Sequence, residues 1–461
     1  MVLTFSAASS TRPRPGDELV VTVDRLTYGG QGVARAQGLA VFVTGAAPQE
    51  TARVKVRRTF RRHVEADLVA IEQPSPDRVE PRCRHFRQGC GGCGWQHIAY
   101  PAQLAAKQAA VSDSLQRLGG FRDIPIHPIV AAPSTFFYRN KMEFAFHPEG
   151  TLGLHPREAW YDILRLDECL LESPLASALI KAAQAFVEQH RISLYHPRTR
   201  QGLLRELCIR HGSGGAETLL GIVTSPGVFP EAQAMARHLS GLDPGIKAVV
   251  RGVRHAAETA APLAEVSVLL GQDHITEVVA GLEFGIHLDT FFQTNSAQAE
   301  RLVAMVKELA GDVAGARVVD VYCGVGLFSL VLAAAGAKVV GVEIVESAVL
   351  AARENAKRNG LASVEFFAGD ARKVLAEVLP AGLSPKVLVL DPPRAGAGGK
   401  VMRRIARATP ERIVYVSCNP TTLARDLVEL RPFGYKMTAV SPIDLFPQTY
   451  HVETVVALER T

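Results

Sequence analysis

From residue 318 onward the chain repeats one pattern five times: a short β-branched run followed by a stretch of helix length. The runs are 318–322, 338–343, 364–367, 387–390 and 413–416, and the first two stretches between them read as helices ending near Ala335 and Asn359. Strand–helix alternation of this kind closes into a doubly wound parallel sheet, because each crossover returns the chain to the same sheet with its helix covering a face. In such sheets ligands bind beyond the carboxyl ends of the strands. The residues just past each run are therefore where chemistry is expected.

The chain is too long for this domain alone: 461 residues at roughly 150 per domain suggest about three. Hydrophobic residues at 47% and charged residues at 21% exclude extended disorder. No apolar run reaches the roughly 18 residues that a spanning helix needs; 329–342, for example, is broken by Lys338. No basic n-region leads an apolar segment at the N-terminus, so a cytoplasmic protein with no membrane partner is expected. Seven cysteines in a reducing compartment then point away from disulfides and toward thiol chemistry, metal ligation or plain packing. The first dozen residues read as an untethered tail.

The formal net charge of +5 is carried entirely by the first 100 residues, which hold 14 basic and 9 acidic side chains. Six of the ten residues from 53 to 62 are basic (Arg53, Lys55, Arg57, Arg58, Arg61, Arg62), with Val54, Val56 and Phe60 between them at strand-like spacing. A basic strand face fits phosphate contacts, although a charge run is more often a solvated face. Short runs at 19–23, 38–43, 52–56 and 63–71, with Gly29, Gly30, Gly32, Gly38 and Gly45 between them, predict a small OB-like β-barrel over residues 14–73. The linker Gln73-Pro74-Ser75-Pro76 and a cysteine-rich segment from Cys83 to Cys93 open a central α+β domain, 74–290, with strands at 141–146 and 248–253. The doubly wound domain takes 291–461.

The first of the five strands ends in Asp320-Val321-Tyr322-Cys323-Gly324-Val325-Gly326, and Glu343 closes the second. A dinucleotide fingerprint would place a third glycine at 329, where the chain has Ser329, and no P-loop lysine is present. A tight glycine turn without a pyrophosphate cradle, with an acid placed for ribose hydroxyls, fits S-adenosylmethionine better than a dinucleotide. Asp370, after the third strand, is placed to contact the adenine.

After the fourth strand comes Asp391-Pro392-Pro393-Arg394, and after the fifth Ser417-Cys418-Asn419-Pro420. Asn419 fits an N-cap and Pro420 the first helical position, which sets Cys418 beside a helix N-terminus, an environment that lowers a thiol pKa. Cys208 and Cys323 read as small buried hydrophobes, and Cys418 as a nucleophile. A methyltransferase needs one when its target is carbon 5 of uracil, too weak a nucleophile to attack a sulfonium methyl. Thiolate addition at carbon 6 moves electron density to carbon 5, and a base afterwards removes the carbon 5 proton so that the thiol can leave. Glu453, ahead of the apolar strand 455–458, is either that base or a solvated strand end.

Taken together, these motifs with Cys90-Gly91-Gly92-Cys93, Gln96-His97, Tyr138-Arg139-Asn140-Lys141, Phe292-Gln293-Thr294-Asn295 and His451-Val452-Glu453-Thr454 resemble the RNA (uracil-5-)-methyltransferases. The likeness spans nearly the whole chain and is closest to their iron–sulfur 23S ribosomal RNA branch, which carries an N-terminal TRAM barrel and a C-terminal Rossmann-like class I methyltransferase domain. The resemblance implies Cys418 as nucleophile and Glu453 as general base. It implies that Gln293, Tyr322, Glu343, Asp370 and Asp391 line the donor site, with Gln293 and Asp391 also near the target base. It makes Cys83, Cys90, Cys93 and Cys169 ligands of a [4Fe–4S] cluster. Six residues separate Cys83 from Cys90 where the family usually has five, so either the loop bulges or the first ligand is shifted. A Cys₄ zinc site is the alternative, but it usually offers two short C-x-x-C hooks and this chain has one.

A uracil inside a duplex is out of reach of such a site, so the expected partner is a flipped uridine in a loop or bulge of 23S ribosomal RNA, met by a monomer. Transfer RNA is the alternative substrate, although many bacterial transfer RNA enzymes of the family lack the barrel and the cluster. A cytosine-5 enzyme would show a second cysteine in the loop after the fourth strand, where this chain has Asp391-Pro392-Pro393. A non-catalytic iron–sulfur RNA-binding assembly factor is the reading from another class, and intact Cys418, Glu453 and Glu343 argue against it.

Overall fold

The computed structural model describes residues 12–157, 159, 161–212, 216–255, 261–379 and 384–460. Most of the N-terminal tail expected from sequence lies outside them. The chain divides into two compact units, one comprising 1–84, 93–110 and 446–451, the other 85–92, 111–445 and 452–461.

The first unit contains a closed barrel of β1 (Glu18–Leu26), β2 (Gly32–Ala36), β3 (Leu39–Thr44), β4 (Thr51–Thr59) and β5 (His63–Gln73), in the order β1-β2-β3-β5-β4. Alternation fills it: Val21, Val23, Val41, Val43, Val54, Val56 and Val64 point inward and are buried. The sequence reading passed over β2, whose Gly-Val-Ala-Arg-Ala run is poor in β-branched residues and begins at a glycine counted there as a turn. A second, smaller core of Leu26, Ala47, Trp95 and Ile98 lies beside the barrel. The Trp95 indole N–H donates to Gly30 O at 3.0 Å.

In the second unit, seven strands form one mixed sheet: β6 (Lys141–His147), β7 (Thr151–Leu154), β8 (Leu164–Arg165), β9 (Leu204–His211), β10 (Thr218–Thr224), β11 (Ile246–Val253) and β12 (Glu265–Gly271). Their order is β12-β11-β10-β9-β6-β7-β8, and only β10 and β11 pair in parallel. Two helices pack on this sheet, Pro174–His190 and Ala232–Ser240. A hairpin of β13 (His274–Val279) and β14 (Leu282–His287) follows.

The remaining seven strands form the doubly wound sheet expected from sequence. They are β15 (Arg317–Val321), β16 (Lys338–Glu343), β17 (Val364–Ala368), β18 (Val387–Leu390), β19 (Arg412–Ser417), β20 (Tyr435–Ile443) and β21 (Glu453–Arg460), in the order β17-β16-β15-β18-β19-β21-β20. The first five run parallel, and β21 inserts antiparallel between β19 and β20. The covering helices used below are α1 (Ser296–Ala310), α2 (Leu327–Ala334), α3 (Glu346–Arg358), α4 (Ala371–Val378), α5 (Gly399–Arg407) and α6 (Pro420–Val428). Both faces of the central strands are covered, which is why Val318, Val319, Leu388, Val389, Val414 and Tyr415 are all buried without alternation. Among the described residues no helix is long and apolar enough to cross a membrane.

Candidate active site

The turn after β15 is built on left-handed backbone. Tyr322, Gly324 and Gly326 have φ of +67°, +54° and +90°, and a non-glycine residue in this region is strained. Tyr322 is held there by its own N–H and that of Cys323, which donate to Val342 O at 2.8 and 3.1 Å. Gly326 opens α2, and a Cβ there would meet Phe366 Cζ at 3.1 Å. At Gly324 a Cβ would meet nothing within 4 Å, so the turn borders open space on the side where a ligand is expected.

Glu343 is fixed by three backbone amides. Gly324 N–H donates to Oε2 at 3.1 Å, and Ile344 and Val345 N–H donate to Oε1 at 2.7 and 2.9 Å. An acid held this way is kept aimed. Ser329, where a dinucleotide fingerprint has glycine, donates its hydroxyl to the buried Asp320 at 2.6 Å. Burial, with the nearby charge of Glu343, pushes the Asp320 carboxyl up to about 7. Asp370 caps α4 through Arg372 N–H at 2.8 Å and is ion-paired with the Arg372 side chain, which holds it down to about 2. The Tyr322 phenol is pushed up to about 12, first by burial and then by Asp426, Asp370 and Glu343. Glu343 and Asp370, at the ends of β16 and β17, thus both act on Tyr322 at the end of β15.

The candidate reacting residues are brought together by strand register. Ser417 pairs with Thr454 and Ile443 with Glu453, so Cys418, one residue past the ladder on β19, faces the first residue of β21. Asp391 follows β18, the parallel neighbour of β19, and its N–H donates to Val321 O. Asn419 caps α6, accepting from Thr421 N–H at 3.0 Å, and Pro420 is the first helical residue, as the sequence reading expects. The Asn419 side-chain amide also donates to Arg394 O at 3.0 Å, so the cap ties the two reactive loops together. Asp426 secures the rest of the loop after β18, accepting from Ala397 and Gly398 N–H and from the Tyr415 hydroxyl at 2.7 Å.

One expectation is corrected. The helix N-terminus does not acidify Cys418; burial, then the charges of Glu453 and Asp391, push its thiol up to about 12, with Arg394 opposing. Glu453 is itself only 3% exposed, its Oε1 has no hydrogen-bond partner among the described residues, and burial with the charge of Asp391 raises it well above the usual carboxylate range. Asp391 rises to about 7 through burial and the charge of Asp320. Desolvation of a thiol and two carboxyls in one corner outweighs a single helix end.

The segment of Gln293 is held through backbone contacts. Asn295 caps α1 and donates from Nδ2 to Leu445 O at 3.0 Å, and Gln298 donates to Asp444 O at 2.7 Å, just past β20. From the other side Asn140 donates to Gln293 O at 3.0 Å and to Ser296 Oγ at 2.9 Å, and its N–H donates to Thr294 O. Asn140, Asp426 and the capping latch of Asn419 were not assigned roles from sequence; the motif around Asn140 was the available signal. Phe291, next to the buried Phe292 and Gln293, is 66% exposed.

The four candidate cluster ligands are buried and none is in a disulfide. In the first unit Cys83 N–H donates to Gln96 Oε1 at 3.0 Å while Gln96 Nε2 donates to Cys93 Sγ at 3.2 Å, so one glutamine serves both cysteines. In the second unit burial pushes the Cys169 thiol up to about 12, with Glu172 and Cys90 adding to the shift. Buried thiols of this kind ionise when a metal binds. Cys208 and Cys323 are buried in strand and turn as expected. A separate trio, Asp273, His274 and His287, also sets ligating atoms close together. There His274 Nδ1 lies 2.6 Å from Asp273, and Arg358 donates to His274 Nε2 at 3.1 Å, so a hydrogen-bonded chain ending in a cation fills that trio.

On the barrel, Arg53 and Arg57 of β4 pair with Glu72, Glu65 and Asp67 of β5, while Lys55, Arg58, Arg61 and Arg62 remain exposed. Phe60, 39% exposed, stacks on His63 at 4.4 Å beside them.

The chain is similar to known proteins. Residues 263–461 match the tRNA (uracil-5-)-methyltransferase family and residues 12–69 match the TRAM domain. The chain is 35% identical to an uncharacterized RNA methyltransferase of Bacillus cereus over 98% of both chains, and 37% identical to one of Gloeobacter violaceus over 97% of both. Among solved structures it resembles the Pyrococcus abyssi tRNA (uracil-54, C5)-methyltransferase in complex with S-adenosyl-L-homocysteine. That similarity has a TM-score of 0.75 at 28% identity and covers 95% of this chain and 100% of the other. The chain belongs to the RNA (uracil-5-)-methyltransferase family, with an N-terminal TRAM barrel.

Proposed function

We propose that this enzyme methylates carbon 5 of a flipped uridine in 23S ribosomal RNA, with Cys418 as nucleophile and Glu453 as base. The observation that carries the chemistry is the register of β19 and β21, which sets a thiol opposite a carboxyl. The donor side fits S-adenosylmethionine: the open face at Gly324 and the fixed carboxylate of Glu343 suit adenosine hydroxyls, with Tyr322, Asp370, Asp391 and Gln293 around them. When bound, the donor supplies an electrophilic methyl on a sulfonium.

The protein's own residues do the rest. Cys418 Sγ gives its proton to solvent and bonds to carbon 6 of the uracil, making carbon 5 nucleophilic; carbon 5 would then take the sulfonium methyl, whose bond to sulfur breaks to leave a neutral thioether. Glu453, ionised, takes the proton from methylated carbon 5; the ring double bond re-forms and the Cys418–carbon 6 bond breaks. Arg394 favours the charged forms of both groups. Phe291 offers an exposed ring on which an unstacked base can rest, and the exposed cations of the barrel suit flanking phosphates.

Three segments divide this work: 14–73 grips RNA, 74–290 carries the cysteine segment, and 291–461 performs the transfer. Cys83, Cys90, Cys93 and Cys169 would hold a [4Fe–4S] cluster, supported by their burial and by the Gln96 hydrogen bond to a cysteine sulfur, a contact of the kind that tunes such clusters. Its role is structural, since methyl transfer from a sulfonium moves no net electron to the protein.

Transfer RNA is the second reading, favoured by the Pyrococcus abyssi enzyme, whose named target is tRNA uracil-54. That likeness covers 95% of this chain, so the barrel does not separate the two substrates. The deciding experiment is transfer of labelled methyl to unmodified 23S and transfer RNA, followed by nucleoside analysis, with Cys418→Ala in parallel. Label in 5-methyluridine of 23S RNA, lost in the variant, is expected. Label confined to transfer RNA would replace the substrate, and full activity of Cys418→Ala would remove the covalent mechanism.

A further inference from the structure

The hairpin β13–β14 leaves one edge of β14 without a strand partner, and α3 satisfies it with side chains. Asn359 accepts from Glu283 N–H at 2.9 Å and donates to Glu283 O at 2.7 Å. One turn earlier on the same helix face, Asn355 accepts from Gly285 N–H at 2.8 Å. A carboxamide carries a donor and an acceptor in one plane, as a peptide does, so two asparagines stand in for a missing strand.

The two differ in one contact. Asn359 spends its second donor contact on Asn355 O in its own helix, whereas Asn355 donates from Nδ2 to Val325 O at 3.2 Å, in the glycine turn between Gly324 and Gly326. Asn355 is 1% exposed, so neither of its bonds can be replaced cheaply by water. Gly326, the next residue in the turn, also lies against α3: a Cβ on it would be 3.4 Å from Ala352 Cβ. At its other end β14 runs into the loop of Phe291, Phe292 and Gln293. That loop is pinned by Arg210, which donates to His287 O and Thr290 O at 2.6 and 2.7 Å, and by packing of Phe292 on Phe284 of β14 at 5.6 Å.

We infer that Asn355 is a positioning residue for methyl transfer: one carboxamide fixes the glycine turn on the donor side to the hairpin that carries Gln293 on the acceptor side. This rests on the reading of those two elements as donor and acceptor sites. Reactive atoms misplaced by about 1 Å can cost about a hundredfold in rate, so a rigid tie between the two sites has a kinetic consequence that a merely packed residue lacks.

The test compares three variants for donor KM, kcat at saturating donor and RNA, and thermal midpoint. Asn359→Ala loosens the hairpin without touching the turn and is expected to lower the midpoint while keeping kcat and donor KM within about twofold. Asn355→Ala is expected to lower kcat by about tenfold and to raise donor KM by a similar factor. Asn355→Asp keeps the acceptor for Gly285 N–H but turns a carboxylate toward Val325 O. Its kcat relative to wild type is expected to recover as pH falls and the buried acid becomes a donor again. Should Asn355→Ala fail to fold, the pH profile of Asn355→Asp carries the test. Wild-type kcat and KM in Asn355→Ala, equal kinetic loss in Asn359→Ala, or a pH-independent defect in Asn355→Asp overturns the inference. Failure of wild-type protein to bind S-adenosyl-L-homocysteine in calorimetry would instead remove the underlying reading of the turn.

Discussion

The two halves of the site, both at the carboxyl ends of the same sheet, are prepared in opposite electrical states. On the donor side Glu343 receives three amide hydrogen bonds and Asp370 an arginine, so these carboxylates are paid in full before any ligand arrives. On the acceptor side Cys418, Asp391 and Glu453 crowd together, and all three are pushed toward their protonated forms. The donor side is preorganised to bind. The proposed acceptor side shifts its groups toward their protonated forms, so the proposed nucleophile and base need a change in the local field to act.

The sharpest way to break this contrast is to remove the base while leaving the charge balance nearly intact. Glu453→Gln is close to isosteric, and because burial and the charge of Asp391 shift Glu453 toward its protonated form, the amide resembles that form. Donor binding and Cys418 addition are expected to survive, while turnover falls by about 10² to 10⁴. With the carbon 5 proton unremoved, RNA stays joined to protein, visible as a shifted band on a denaturing gel that Cys418→Ala abolishes. Normal turnover in Glu453→Gln would return this residue to a structural strand end.

On the donor side the matching change is Glu343→Gln. It keeps acceptor geometry but removes the charge and turns one oxygen into a donor facing the backbone N–H groups it served. Hydrogen bonds to charged groups contribute about 1.5–3 kcal/mol, so a loss of about tenfold to a hundredfold in S-adenosyl-L-homocysteine affinity is expected by calorimetry. The intrinsic reactivity of Cys418 should not change. If donor affinity holds while thiol reactivity moves, the two halves are not separate in the way their hydrogen bonding implies.

The turn and acids proposed for the donor were largely legible as structure in the sequence because they are local. A glycine turn, an acid at the next strand end and the strand–helix period all fall within a short stretch from Asp320 to Asp370, and the structure places the turn and acids at the ends of β15, β16 and β17. The helix cap at Asn419 was legible for the same reason. The acceptor half depends on distant pairing. Nothing in the local sequence shows that β21 inserts between β19 and β20, and that insertion is what sets Glu453 opposite Cys418. The latches Asn355 and Asp426 were invisible, and Asn140 showed only as part of a motif, because each acts through a bond to backbone far away in sequence, which leaves no periodic trace. The thiol expectation failed for a related reason: a motif shows the helix end beside Cys418, but not the carboxyls that register and burial bring to it.

That last difference is directly measurable. A thiol held near 12 is almost entirely protonated at pH 7, and below its pKa the thiolate fraction rises by about tenfold per pH unit. Alkylation of Cys418 by iodoacetamide in ligand-free protein, followed by peptide mass spectrometry from pH 7 to pH 10, is therefore expected to accelerate by up to about tenfold per unit with no plateau. A rate already flat at pH 7 would mean that the helix N-terminus and Arg394 prevail over Glu453, Asp391 and burial. Repeating the series in Glu453→Gln separates the causes. If the carboxyl's charge contributes as its place on β21 implies, the amide variant, which cannot repel the thiolate, should alkylate faster than wild type as pH rises and Glu453 ionises.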